Sequence, residues 1–102
     1  MRTFINLTPH AIVLNDGTIF EPSGTIARVS STLTSVSDGM FKQVFGQIID
    51  LPKPKADTLL IVSAIVFSAT DREDIIAPAT SHPDVVRNDK GHIVSVPGFI
   101  CK

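Results

Sequence analysis

The chain has 102 residues, of which 43% are hydrophobic and 19% are charged, and its formal net charge is −1. This length suits a single domain, residues 1–102, and the apolar fraction is enough for a folded core, which argues against disorder. The nine basic and ten acidic residues are mixed along the chain, whereas duplex nucleic-acid binders normally show a basic excess or stripe. We therefore expect no duplex nucleic-acid partner. A small anionic ligand remains open, because two or three arginines in one pocket suffice to bind it.

Cysteine usage and hydropathy predict a cytoplasmic protein. The single cysteine, Cys101, cannot form an internal disulfide, and no metal-ligand spacing such as C-x-x-C occurs. The first ten residues lack the charged and apolar regions of a signal peptide. The longest apolar run, residues 59–69, is shorter than the roughly 20 residues that a membrane span needs. We expect no membrane partner, no metal and no cofactor.

Turn chemistry divides the first half of the chain into short strands. Strands are predicted at residues 2–7, 11–14 and 18–20, and Asn15-Asp16-Gly17 joins the last two as a hairpin because these residues tolerate positive φ. A turn at residues 21–24 precedes a strand that starts near residue 25. Asp38-Gly39 is a second hairpin turn, followed by a strand at 40–50 in which Gly46 is a candidate bulge.

The second half begins with a connector at residues 51–57, where Pro52 and Pro54 forbid a helix. Hydrophobic periodicity does not decide whether the apolar run that follows is a strand or a helix. We divide it into a buried strand at 58–62 and a helix at 64–70 with Ser63 as its N-cap. A strand at 75–77, a loop at 78–84 and a hairpin at 85–96, with Gly91 in its turn, complete the pattern. The sequence thus predicts an α+β domain, β-rich, with several short antiparallel hairpins and one short helix around residues 64–70.

Three arginines are candidates for holding an anion. Arg28 lies between apolar residues with no acid near it in sequence, Arg72 follows the predicted helix, and Arg87 precedes a turn. A guanidinium binds a phosphate or carboxylate through two parallel hydrogen bonds, so convergence of these side chains would create an anion pocket. The alternative is local pairing, of Arg72 with Asp71, Glu73 or Asp74, and of Arg87 with Asp84 or Asp89.

No catalytic motif accompanies the arginines. His10, His82 and His92 are too scattered for a metal site. The sequence contains no nucleophile elbow, P-loop or dinucleotide-binding pattern. Phe67 lies near Arg72 in sequence and is either a core residue or a stacking surface for a ligand. We therefore predict a binding protein rather than an enzyme.

A set of short motifs follows one another along nearly the whole chain. The set is Asn6-Leu7-Thr8-Pro9-His10, residues 21–29, Leu51-Pro52-x-Pro54, Ile61-Val62-Ser63-Ala64-x-Val66, Arg72-x-Asp74-x-x-x-Pro78 and Val86-Arg87-x-Asp89-x-Gly91-x-Ile93. In these motifs the chain resembles a widespread family of small phage and prophage proteins. Small phage proteins without enzyme motifs often act against host defence. One known strategy is a sponge, an oligomer that sequesters a cyclic nucleotide or cyclic ADP-ribose signal without cleaving it.

The resemblance implies a phage-encoded homo-oligomer that sequesters such a nucleotide signal in the infected host cell. In this reading the arginines hold phosphates, while carboxylates, an amide and a hydroxyl recognise the ribose or the base edges. Alternatives are an inhibitor or adaptor that binds a host protein, a minor structural component of the virion and, last, an enzyme that turns over the signal. The expected ligand-binding residues are Arg28, Arg72, Arg87, Asp74, Asp89, Asn6, Thr8, His10 and Phe67.

Overall fold

The computed structural model describes residues 2–102, so Met1 of the predicted domain lies outside the described residues. A four-stranded sheet forms its centre. The strands are β1 (Thr3–Asn6), β6 (Thr58–Ile61), β7 (Ile75–Pro78) and β10 (Phe99–Cys101), and they lie in the order β1-β6-β7-β10. The pairs β1–β6 and β6–β7 are parallel, whereas β10 runs antiparallel to β7.

The parallel pairs add to the several short antiparallel hairpins that the sequence predicts. β1 pairs with a strand that follows it by some fifty residues, with Thr3 opposite Thr58. Turn residues identify strands that are joined by a tight connection, and parallel strands are joined by long crossovers that leave no such local signature. β10 is antiparallel to β7, but no tight turn joins the two strands, and it has no counterpart among the predicted strands.

Two short hairpins flank the sheet as predicted. The first joins β2 (Ile12–Val13) to β3 (Ile19–Phe20), and the second joins β8 (Val86–Arg87) to β9 (Ile93–Ser95). In the second turn Gly91 has φ of 82°. That conformation disfavours side chains with a Cβ, which explains the glycine.

A longer hairpin joins β4 (Arg28–Ser37) to β5 (Met40–Ile49) through the predicted Asp38-Gly39 turn. Val29 lies opposite Ile48 and Ser31 lies opposite Phe45. β5 therefore carries one extra residue in the stretch that contains Gly46, which confirms the predicted bulge. A second register shift lies between residues 35 and 37, next to the turn.

The single helix of the described chain, α1 (Ala64–Ser68), ends two residues before its predicted boundary. Ser63 is its N-cap, as predicted, and its hydroxyl oxygen accepts a hydrogen bond from the Val66 backbone N–H at 3.4 Å. The β-rich fold with short antiparallel hairpins and one short helix is thus confirmed. The α+β class fits it loosely, because the helix has five residues. No helix among residues 2–102 is long and apolar enough to span a membrane.

The hydrophobic core occupies both faces of the central sheet. Leu60 and Ile75 belong to one buried cluster, whereas their chain neighbours Ile61 and Ile76 belong to the other. This alternation follows from the two-residue period of a strand. The helix covers the first face through Val66. The second face lies under the two short hairpins, which contribute Ile12, Val96 and the half-buried Phe20.

Candidate functional site

Two adjoining clefts border the loop that follows β1. The arginine cleft, of about 390 Å³, lies among this loop, the base of the β4–β5 hairpin and α1. The apolar cleft, of about 330 Å³, lies on the other side of the loop against β2 and β9. Both clefts are lined by Thr8 and Ser63, so they meet at these two hydroxyl groups. Each volume falls within the range of small-molecule sites.

Arg28 is the charged group of the arginine cleft. It is the first residue of β4, lies opposite Ile49 and is exposed. Within residues 2–102 its guanidinium forms no ion pair and no hydrogen bond to another side chain, and the lining of this cleft contains no carboxylate. All its donors are therefore available to an anion, which is the arrangement that bidentate binding needs.

Polar groups and one aromatic ring line the same cleft as Arg28. The base of the hairpin contributes Ser31, Gln43 and Phe45, and the Gln43 Nε2 group donates to Ser31 Oγ over 3.3 Å. Phe45 is 53% exposed. Thr8 adds a hydroxyl from the opposite wall. The cleft thus combines a cation, an amide, hydroxyls and an exposed ring face, the groups that bind an anion attached to a planar ring.

Asn6 holds the loop between the two clefts in place. Its side chain is buried, and its Nδ2 group donates to the backbone carbonyls of His10 and Phe20, each at 2.9 Å. Its Oδ1 atom accepts from the Thr8 backbone N–H at 2.9 Å and from Thr8 Oγ1 at 2.7 Å. Because both ends of the amide are engaged within the chain, Asn6 positions Thr8 and His10 rather than facing a ligand.

The structure places Arg72 away from the arginine cleft. Its Nε and Nη2 groups donate to the two carboxylate oxygens of Asp74 at 3.0 and 2.6 Å, and both side chains are partly buried. This is the local pairing that the sequence left open as the alternative. Neither residue lines either cleft.

Arg87, Asp89 and Phe67 also lie outside the two clefts. The Arg87 Nη1 group donates to the Gly91 carbonyl at 2.8 Å, across the turn that carries the exposed Asp89. Phe67 packs half-buried against the core, and the Lys102 ammonium lies 4.3 Å from the centre of its ring. Of the nine predicted site residues, four are brought together around the loop after β1: Asn6, Thr8, His10 and Arg28.

The described residues of the two clefts offer hydroxyl, amide, imidazole and guanidinium groups. No cluster of three or more metal-ligating side chains occurs in the part of the chain that the structure describes. Hydrogen bonds from Thr18 lower the pKa of Asp16, which lies in an exposed turn outside the clefts. The chain matches no family model, no curated protein and no solved structure. The functional conclusion therefore depends on the residues of the two clefts.

Proposed function

We propose that this protein captures a small anionic ligand of the nucleotide class in the arginine cleft and holds it without chemical change. One observation carries the proposal: Arg28, whose guanidinium has no ion-pair partner among the described residues, lines a cleft that contains no acid. A guanidinium left without an acid at the mouth of a cleft attracts phosphate more strongly than one already neutralised, as Arg72 is by Asp74.

The groups beside Arg28 favour a ligand that joins a phosphate to a planar base. The exposed ring of Phe45 offers a stacking surface, and the Gln43 amide and the Ser31 hydroxyl match the donors and acceptors of a base edge or a ribose. The adjoining apolar cleft extends the available volume beyond Thr8 and Ser63. A phosphate at Arg28 therefore leaves room for a nucleoside on either side of the loop.

Capture rather than turnover is supported by the lining of the arginine cleft. General acid–base and nucleophilic catalysis need a titratable side chain within hydrogen-bond reach of the reacting atoms. The described residues of this lining include no aspartate, glutamate, histidine or cysteine, and His10 belongs to the adjoining cleft. The resemblance to small phage proteins adds a context, namely sequestration of a cyclic nucleotide or cyclic ADP-ribose immune signal in the cytoplasm of the infected host.

Calorimetric titration with cyclic dinucleotides, cyclic trinucleotides and cyclic ADP-ribose isomers tests the proposal. We expect the unmodified protein to bind at least one of them and to release it unchanged on denaturation. Arg28→Ala should weaken that binding roughly 10- to 100-fold, the usual effect of losing hydrogen bonds to a charged group. Arg87→Ala is the matched control, because it removes a guanidinium that bonds to a turn carbonyl outside the clefts.

Three results would contradict the proposal. The first is absence of binding across the whole panel, and the second is recovery of an altered nucleotide. The third is an equal loss of affinity in Arg87→Ala and Arg28→Ala, which would place the anion elsewhere. Circular dichroism of both variants shows whether a loss of affinity reflects unfolding.

A further inference from the structure

One face of the β4–β5 hairpin is apolar and uncovered. Residues of an antiparallel pair that lie opposite each other share a face, and alternate residues of a strand return to it. The pairs 31–45, 33–43 and 35–41 therefore line one face. We call it the hairpin face, and it consists of Ser31, Leu33, Ser35, Phe41, Gln43 and Phe45. Leu33 is 67% exposed and Phe41 is 60% exposed.

The outer half of the hairpin has little support from its own chain. β4 contacts β5 and, at its base, α1, whereas the main contacts of β5 are with β4. No residue of either strand is buried. A two-stranded ribbon is at best marginally stable by itself in water, and its two outer edges leave backbone groups without strand partners. These properties are those of a surface that becomes ordered against a partner.

We propose that a second copy of this chain covers the hairpin face in a two-fold symmetric dimer. Leu33, Phe41, Phe45 and the adjoining Ile65 are 53–67% exposed. With full side-chain areas of roughly 200 Å² each, they expose roughly 500 Å² of apolar surface. Homodimer interfaces are about 65% apolar, so this area corresponds to a total of roughly 800 Å² per subunit, the size of a standard stable interface.

The character of the hairpin face favours its own copy over a charged partner. None of its six residues is charged, so two identical faces meet without repulsion. Large and small side chains also alternate across it, because Ser31 lies opposite Phe45 and Ser35 lies opposite Phe41. Each serine leaves a hollow beside a phenylalanine, and a two-fold axis brings the ring of one copy to the hollow of the other.

This dimer also bears on the proposed ligand site. Ser31, Gln43 and Phe45 belong both to the hairpin face and to the lining of the arginine cleft. A second copy seated on the face therefore competes with the ligand for the exposed ring of Phe45, so ligand capture should weaken dimerisation. This consequence depends on the proposed function, whereas the dimer itself does not.

Sedimentation analysis of the full chain over a dilution series tests the dimer. We expect the unmodified protein to sediment at twice the mass of the chain. Leu33→Glu should weaken association at least about 100-fold, because it places two carboxylates in the apolar centre of the interface. The matched control is Val44→Glu, which changes a similarly exposed apolar residue on the opposite face of the same hairpin and should stay dimeric.

If the unmodified protein is a monomer at every concentration, the proposal is overturned, and the hairpin face would then bind a different protein. Equal dissociation of both glutamate variants would also overturn it, since the dimer would then not use this face. Thermal unfolding of Leu33→Glu separates dissociation from misfolding. Arg28→Ala should remain dimeric, so a failure of ligand capture and a failure of dimerisation are separate results.

Discussion

The central sheet and the β4–β5 hairpin differ in the length of their strands and in how deeply these are buried. The sheet is made of strands of three or four residues, yet Ile61, Ile75 and Ala77 in it have no exposed surface. The hairpin strands have ten residues each and no buried residue. Strand length therefore does not indicate where the stability of this domain lies. Burial does, because each buried aliphatic side chain contributes roughly 1.5–3 kcal/mol.

The two regions also divide the tasks of the molecule. The sheet holds the buried clusters and fixes the loop after β1 through Asn6. The hairpin contributes one wall of the arginine cleft and the apolar face proposed to meet a second copy. Changes in the sheet should therefore alter stability, whereas changes in the hairpin should alter binding and association.

The largest expected effect compares the same substitution in the two regions. Val62, which follows β6, has no exposed surface, whereas Val44 of the hairpin is 50% exposed. Val62→Ala should lower the free energy of unfolding by about 2–3 kcal/mol, because it leaves a cavity beside a packed core. Val44→Ala should lower it by no more than about 0.5 kcal/mol. Urea unfolding of both variants gives the two values. Equal losses of unfolding free energy would show that the two regions do not differ in their contribution to stability.

An intermediate effect is expected at the bulge of the hairpin. A Cβ on Gly46 would lie 2.5 Å from Ser30 Oγ, which now donates to the Gln47 carbonyl at 3.2 Å. Gly46→Ala should therefore displace the serine and cost about 1 kcal/mol. Amide hydrogen exchange should report the loss in the hairpin and not in the sheet.

A double-mutant cycle sharpens this second test. In a Ser30→Ala background the new methyl group has no hydroxyl to displace, so Gly46→Ala should cost markedly less there. An undiminished cost in that background would assign the effect of Gly46→Ala to backbone conformation instead of to contact with Ser30.

The smallest effect is expected in the short β2–β3 hairpin, and it depends on pH. Asp16 Oδ1 accepts a hydrogen bond from the Thr18 backbone N–H at 2.9 Å, which lowers the pKa of Asp16 below its ordinary value of 3.8. A carboxyl whose pKa is depressed by folding stabilises the protein above its unfolded pKa, and this contribution disappears as the pH falls through the folded pKa. Asp16→Ala should therefore melt slightly below the unmodified protein at neutral pH and together with it in strong acid. A gap of the same size in strong acid would mean that the carboxylate charge is not its source.

Elements formed by neighbouring residues were predictable from sequence. Asn15-Asp16-Gly17 and Asp38-Gly39 join hairpins as expected, and Ser63 caps the helix. Three strands of the central sheet were also predicted, at residues 2–7, 58–62 and 75–77, but their pairing was not, because the parallel pairs bring together segments that no turn connects. The order of the strands depends on how they pack against one another, which a one-dimensional pattern does not record.

The candidate site was predictable in part, for a related reason. Arg28 stood out because no acid lies near it in sequence, and it lines a cleft. If the two strands paired without interruption from the Asp38-Gly39 turn outward, Ser31 would lie opposite Gly46. The register shift beside the turn instead sets Phe45 there, and a one-residue slip moves every side chain to the other face. The positions of Gln43 and Phe45 in the cleft therefore could not be predicted without knowing the strand register. The structural role of Asn6 could not be predicted either, because its side chain bonds to the carbonyl of Phe20, which is distant in sequence.

The order of strands in the central sheet has a consequence for how the chain acquires its structure during synthesis. The two edge strands come from residues 3–6 and 99–101, so the sheet is complete only after residues 3–101 have all left the ribosome. The β4–β5 hairpin has purely local pairing and can form much earlier. Its apolar face is therefore exposed on nascent chains before the core exists to anchor it.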